Sequence, residues 1–511
     1  MDRDFQASGW CRQRYKAVPI AALQFHCLSE AWRALSRLGE DQEAGFEPAE
    51  WKVILTMVDT KLVQLTDGNR PFLAATMFNL SSVGYTEAEY SFSGVACAYV
   101  RGKEAVRTSA EEAPFSTRLL VYRPADDALF NGTVWVEWLN VSGGLDAAPD
   151  WVCAHTELVR RGAAWVGVSA QQIGVAGGTS VLGMESPGLV GMDQARYGGL
   201  SHPGDRFSYD IYKQATQAVR AAKDTILDGL SIERVLGIGE SQSAFRLTTY
   251  INDIDPLSQV HDGFVVHARG GKAAPLDDES DPSETDDGQP VQFRTDLRVP
   301  VLCVQSETDL INLEYLTARQ DDSESFVLWE MAGTSHADVY TFAAGMIDTG
   351  RLPIEELAVA WRPGIDVFGM KFDKPVNAGL QHYIVCAAVR ALERWVTNGT
   401  RPSPAPRLAI HDGTIVTDDR GIAIGGIRTA SVDIPVAVLS GFGNSGNPLA
   451  FLAGSTTPFS SSLLGDLYSS NAEYVERVAS SNHMALESGF LLPEDVAEMS
   501  AIAAYNSPLP R

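Results

Sequence analysis

The sequence has no uninterrupted apolar run approaching the roughly 18 residues a membrane-crossing helix needs, and it has no C-x-x-C pair. Its six cysteines, Cys11, Cys27, Cys97, Cys153, Cys303 and Cys386, are scattered. That spacing excludes a disulfide framework and a zinc cluster, and the thiols read as mostly reduced core residues. Basic residues are scarce: 40 Lys and Arg face 65 Asp and Glu in 511 residues, a formal net charge of −25. Phosphate backbones and anionic lipid surfaces repel such a chain, so no nucleic-acid or membrane partner is expected, and a small molecule is. Met1-Asp2-Arg3-Asp4 does not lead into an apolar stretch with a small-residue cleavage site. No secretory signal is therefore expected, the expected location is cytoplasmic, and the sequons at Asn79, Asn131, Asn140 and Asn398 read as chance matches.

What is present is a globular composition, 45% hydrophobic and 21% charged, which excludes disorder of the whole chain. A helix is expected over Ala21–Leu38, where Leu23, Leu28, Trp32, Leu35 and Leu38 fall near helical spacing. From Asn131 onward, short β-branched or aromatic runs alternate with longer amphipathic stretches, the pattern of βαβ units around a parallel sheet. The expected strands are Thr133–Leu139, Ala164–Val168, Arg234–Ile238, Gly263–Val266, Val299–Val304 and Ser325–Trp329. The expected helices are Pro149–Arg161, stopped by Gly162, then Tyr209–Ala222, one through Tyr250, and Asn377–Val396. An acidic insertion over Leu276–Asp287 lacks the fixed Gly and ligand spacing of a calcium loop and reads as a solvated surface loop. Pro-rich Arg401–Arg407 marks a boundary, followed by strand-like runs at Ile422–Ile427 and Val432–Leu439 and helices near Ala472–Ser480 and Glu494–Ala504.

The chemistry concentrates where a strand runs into Gly239-Glu240-Ser241-Gln242-Ser243 and then a helix. This is the context of a nucleophile elbow, with Ser241 lifted above the carboxyl end of the sheet and small residues wanted at −2 and +2. Gly239 and Ser243 meet that demand, although Gly is usual at the second position. A serine needs a base, and the base needs an orienting carboxylate; the expected chain order is Ser, acid, His. His336, in the loop after the strand ending at Trp329, is the expected base. Asp309, in the loop after Val304, is the expected acid, with Glu307 on the same loop as the alternative. An oxyanion hole would use the N–H of Gln242 and one from the Gly-rich loop Asn140–Gly144, for which Val141 is the first choice and Ser142 the alternative. Other residues get plainer readings. His267 is a structural or pocket residue, His382 a satisfied core histidine, and Ser169 a loop residue lining the cleft, while His261, His411 and His483 have no partner pattern.

Taken together, Phe130–Gly144, Trp165–Gln171, Gly239–Leu247, Ser306–Leu310 and Gly333–His336 resemble the α/β-hydrolase superfamily, and more narrowly a bacterial α/β-hydrolase domain family whose pattern includes the Ser243 variant of the elbow. The resemblance runs from about residue 70 to the C-terminus. It implies a mostly parallel central sheet flanked by helices, with lid insertions and a C-terminal addition, and a serine hydrolase without cofactor or metal. The expected organisation is an extension over 1–65, an α/β-hydrolase core over 66–400, and a segment over 401–511 that packs on the core and is a candidate part of the lid. Further candidate roofing segments are Gln172–Arg206, with Tyr197 and His202, and Ala337–Val376, with Tyr340, Phe342, Trp361 and Phe368. The leading expectation is hydrolysis of a carboxylic ester or lactone through an acyl-enzyme. Its alternatives are non-hydrolytic acyl transfer, lyase or cyclisation chemistry on the same fold, and a catalytically inactive binding protein.

Overall fold

The computed structural model describes Ile54–Leu55 and residues 60–509, apart from 67–68, 103–104, 277–288 and 368. The helix expected over Ala21–Leu38, the acidic insertion from residue 277 and Phe368 lie outside the described residues.

Ten strands make one sheet: β1 (Ile54–Leu55), β2 (Lys61–Gln64), β3 (Tyr85–Arg101), β4 (Val106–Pro124), β5 (Thr133–Trp138), β6 (Ala164–Val168), β7 (Arg234–Glu240), β8 (Gly263–His267), β9 (Val301–Gln305) and β10 (Phe326–Glu330). Their order is β1-β2-β3-β4-β6-β5-β7-β8-β9-β10. The pairs from β6 through β5 to β10 are parallel, and β1 to β4 add an antiparallel edge. Sequence patterning from Asn131 onward misses the long β3–β4 hairpin. The first half of β4, Val106–Pro114, is mostly exposed and carries Glu111 and Glu112, so it shows no apolar run.

The parallel strands read as apolar runs because both faces of the sheet are covered. All six residues of β5 are buried. Val134, Val136 and Trp138 enter one core with Tyr209, Ile211 and Tyr212 of helix α2 (Ser208–Ala221); Trp135 enters the other with Trp151 of α1 (Pro149–Arg161) and Val385 of α5 (His382–Asn398). Truncating a side chain such as Trp138 to alanine would cost about 3–5 kcal/mol. Between them lie α3 (Gln242–Thr249) and α4 (Glu307–Ile311); α6 (Asn471–Glu487) and α7 (Pro493–Tyr505) follow. Among the described residues no helix is long and apolar enough to cross a membrane.

Glu137 of β5 has a role that its alternating position hides. Its carboxyl accepts from the N–H groups of Asp150 (3.1 Å) and Trp151 (2.9 Å), capping α1, whose N-cap Ala148 has no side-chain oxygen, and from Trp165 Nε1 (2.8 Å). At the other end Gly162 takes φ +70°, and a Cβ there would collide with the Leu129 carbonyl oxygen.

Three expected elements differ. α5 begins at His382, not Asn377. The Asn377 side-chain amide donates to the carbonyls of Gly333 and Ser440, and Leu380 sits at φ +54°, outside the right-handed helical region. Val432–Leu439 splits at Pro435 into a helical turn, Ala430–Asp433, and a strand, Ala437–Ser440, paired with Ser455–Pro458. Ile422–Ile427 makes isolated bridges only, one of which sets Ile427 parallel to Met331 beyond β10. The C-terminal segment thereby lies against the main sheet. The described cysteines Cys97, Cys153, Cys303 and Cys386 are all free thiols.

Candidate active site

β5 and β7 are parallel neighbours in the sheet although far apart in the chain, so the loops leaving their carboxyl ends open side by side. At the end of β7 the chain turns at Ser241, with φ +56° and ψ −122°, before α3 begins at Gln242. A non-glycine residue at positive φ stores of the order of 1–3 kcal/mol, and here the strain turns the side chain out above the sheet. The serine is half-buried. Its N–H is held by the His267 carbonyl (3.0 Å), from the end of β8.

The residue two positions on explains how a serine replaces the usual glycine. Ser243 is fully buried; its hydroxyl donates to the Glu240 carbonyl (2.7 Å) and accepts from the Glu240 N–H (3.1 Å). The extra hydroxyl thus bonds both main-chain groups of the residue before Ser241. The requirement for a small residue at −2 is looser than the motif implies: a Cβ on Gly239 would sit 3.4 Å from Leu247 and Ser243, an ordinary contact.

His336 Nε2 lies 2.9 Å from Ser241 Oγ, and His336 Nδ1 lies 2.6 Å from Asp309 Oδ1. The other Asp309 oxygen accepts from the Ser306 N–H (2.6 Å) and hydroxyl (2.8 Å) as part of a capping box at the start of α4. Asp309 is therefore surrounded by donors. That assigns the Nδ1 proton to the Asp309 side and leaves Nε2 as the acceptor for the Ser241 hydroxyl. His336 is 3% exposed and Asp309 is fully buried. The His336 carbonyl is tied to Gln381 Nε2 (2.9 Å).

Glu307, the alternative acid, points elsewhere. Its carboxyl accepts from the N–H groups of Gly333 (2.6 Å) and Gly441 (2.8 Å), fastening the loop before His336 to the C-terminal segment. Burial pushes its pKa up to about 7.

The two candidate donors on the loop after β5 also separate. The Ser142 N–H donates to Asn140 Oδ1 (2.8 Å) and is engaged. Among the hydrogen bonds of the described residues, none uses the Val141 N–H. Gln242 is the first residue of α3, and first-turn N–H groups have no acceptor within their own helix.

Two further side chains that touch the site escape a motif search. Asn140 Nδ2 donates to the Glu240 carbonyl (3.0 Å), and Glu240 Oε1 lies 3.2 Å from His336 Nε2. The available signals were the position of Asn140 directly after a strand and a carboxyl directly before the elbow serine. His267 is fully buried and bonded through Nδ1 to Asp150 Oδ1 (2.9 Å). Burial lowers its pKa, but the Asp150 hydrogen bond and charge outweigh this and the net shift is upward.

The plainer readings fare differently. Ser169 does not line a cleft: it is fully buried, donating to Asp146 Oδ2 (2.5 Å) and accepting from Arg118 Nε (3.0 Å). His382 stacks on Tyr340 with centroids 3.5 Å apart, and burial drives its pKa well below the ordinary histidine value. In the candidate roofing segments, Tyr197 bonds Glu89 (2.9 Å), His202 bonds the Ala170 carbonyl (2.9 Å) and Trp361 packs edge-on against His382. These rings pack their segments onto the body. Among the described residues no three of His, Cys, Asp and Glu converge to hold a metal ion.

Comparison with solved structures returns a serine hydrolase homologue from Coxiella burnetii (13% identity, 47% of this chain and 87% of that one, TM-score 0.26). It also returns a thermostable esterase from Pseudomonas putida (13%, 56% and 82%, TM-score 0.28) and a lipase/esterase from Lactobacillus plantarum (13%, 46% and 92%, TM-score 0.27). A search of curated proteins returned no match. The model of the alpha/beta hydrolase domain family matches residues 58–501, most of the chain, and with the parallel sheet and the strained strand-to-helix turn described above, the chain belongs to that family.

Proposed function

We propose that the protein is a serine hydrolase that cleaves a carboxylic ester or lactone through an acyl-enzyme. The observation that carries this reading is the unbroken line from Ser241 Oγ to His336 Nε2 (2.9 Å) and from His336 Nδ1 to Asp309 Oδ1 (2.6 Å). Ser241 attacks the carbonyl carbon while His336 takes its proton at Nε2, and Asp309 holds the imidazole and stabilises the imidazolium that forms. The N–H groups of Gln242 and Val141 receive the developing oxyanion. Collapse expels the alcohol, which takes the proton from His336. Water, activated by the same base, then releases the acid and restores Ser241.

The G-E-S-Q-S elbow serves as the nucleophile turn in this reading, and the substrate is a small molecule without metal or cofactor assistance. A panel of p-nitrophenyl esters of graded acyl length tests it. An initial burst of nitrophenol equal to the enzyme present, followed by slower turnover, is expected for at least one ester. Turnover undiminished in Ser241→Ala would remove the reading.

A further inference from the structure

Glu240 stands between the two halves of the site. The residue is 6% exposed, with Oε1 3.2 Å from His336 Nε2 and Oε2 accepting from Asn140 Nδ2 at 3.3 Å. Asn140 is fixed in that orientation because its Oδ1 accepts from the Ser142 N–H and its Nδ2 also reaches the Glu240 carbonyl. One side chain therefore touches the base, while its neighbour in sequence is the nucleophile and its partner Asn140 opens the loop of Val141.

The charge state of this carboxyl follows from its surroundings. In the line from Ser241 to Asp309, Nε2 presents a lone pair to the serine hydroxyl. An anionic oxygen 3.2 Å from that nitrogen would either oppose the lone pair or draw a proton onto it, and in the second case the base could no longer accept from Ser241. Among the described residues, the groups facing Glu240 offer no compensating cation. Asp150 and Glu137 approach from α1 and β5, and Asp309 from α4. His267 on β8, the register partner of Glu240, is committed to Asp150. Burial first, then these like charges, push the Glu240 pKa well above the ordinary carboxyl range.

We propose that Glu240 is a positioning residue that works as an uncharged carboxylic acid: it packs one oxygen against His336 Nε2 and rests the other on Asn140, holding the base, the nucleophile turn and the loop of Val141 in one register. Without a full negative charge beside it, Nε2 is not held as an imidazolium and can still take the Ser241 proton. The inference rests on the reading of Ser241 and His336 as nucleophile and base.

The test measures the rate of labelling by a fluorophosphonate probe against pH for wild type, Glu240→Gln and Glu240→Leu, with thermal unfolding as the check on folding. Gln is the uncharged isostere. It should label within roughly tenfold of wild type, with the acid-side midpoint of the profile unmoved. Leu cannot accept from Asn140, and a misplaced base and loop should slow labelling by roughly a hundredfold. An infrared difference spectrum of wild type minus Glu240→Gln at neutral pH should show the carbonyl stretch of a protonated carboxyl. A carboxylate band in its place, an acid-side midpoint that falls in Glu240→Gln, or labelling of Glu240→Leu as fast as Glu240→Gln would each overturn the proposal. Failure of the underlying reading looks different: the wild-type protein itself would not label.

Discussion

Asn140 Nδ2 donates to the main-chain carbonyl of Glu240 at 3.0 Å, and by that bond the loop after β5 is fastened to the turn that carries Ser241. The same side chain takes up the Ser142 N–H, whereas no hydrogen bond among the described residues uses the Val141 N–H. The two proposed oxyanion donors, one on each loop, are thus set against each other by the Asn140 amide.

Asn140→Ala should therefore impair chemistry more than binding. With the loop free to shift, kcat for a p-nitrophenyl ester should fall by roughly a hundredfold, the range seen when one oxyanion donor is lost, while KM changes little. A rise in KM at unchanged kcat would place Asn140 in substrate binding.

Asp309 and Glu307 sit two residues apart on one short helix, and their contacts assign them different work. Asp309→Asn keeps the shape but presents an amide to His336 Nδ1, and activity should drop by about 10⁴-fold with the protein still folded. Glu307→Ala leaves the buried N–H groups of Gly333 and Gly441 without their acceptor, and should cost roughly 1–3 kcal/mol per group in stability while labelling of Ser241 persists below the melting temperature. Paired kinetics and thermal melts of the two variants decide the assignment; the opposite pattern would make Glu307 the acid.

Glu307 also sets a pH dependence of stability. Burial raises its pKa from 4.5 to about 7, so the folded state binds this proton more tightly than the unfolded chain does. Stability from this group is complete below about pH 4.5 and is lost as pH rises through about 7, a loss on the order of 3 kcal/mol. Wild type should melt at a higher temperature near pH 5.5 than near pH 8, and Glu307→Gln, which cannot ionise, should show a smaller difference. An equal difference in both proteins would contradict this.

Much of the site was legible in the sequence because strand ends are legible. A buried parallel strand announces itself as an apolar run, and the residues just past β7, β9 and β10 must gather at one edge of the sheet, which is where Ser241, Asp309 and His336 meet. Choosing between Asp309 and Glu307, or between Val141 and Ser142, needed the direction of individual side chains, which spacing does not encode. Glu240 and Asn140 were illegible for a related reason: their partners lie across the gap between neighbouring strands, about 100 residues apart in sequence. The helix α5 started late because side-chain bonds from Asn377 outweighed the local preference for helix. Ser169 was misread because its partners, Arg118 and Asp146, form a buried ionic network with no sequence periodicity.

The proposed chemistry makes Ser241 the nucleophile and His336 its base. The most direct measurement is fluorophosphonate labelling of the intact protein followed by mass mapping of the modified peptide, with Ser241→Ala and His336→Ala as controls. One adduct per chain is expected, on Ser241, absent in Ser241→Ala and slowed by roughly 10³-fold or more in His336→Ala. An adduct on any other residue, or labelling of His336→Ala at the wild-type rate, would contradict it.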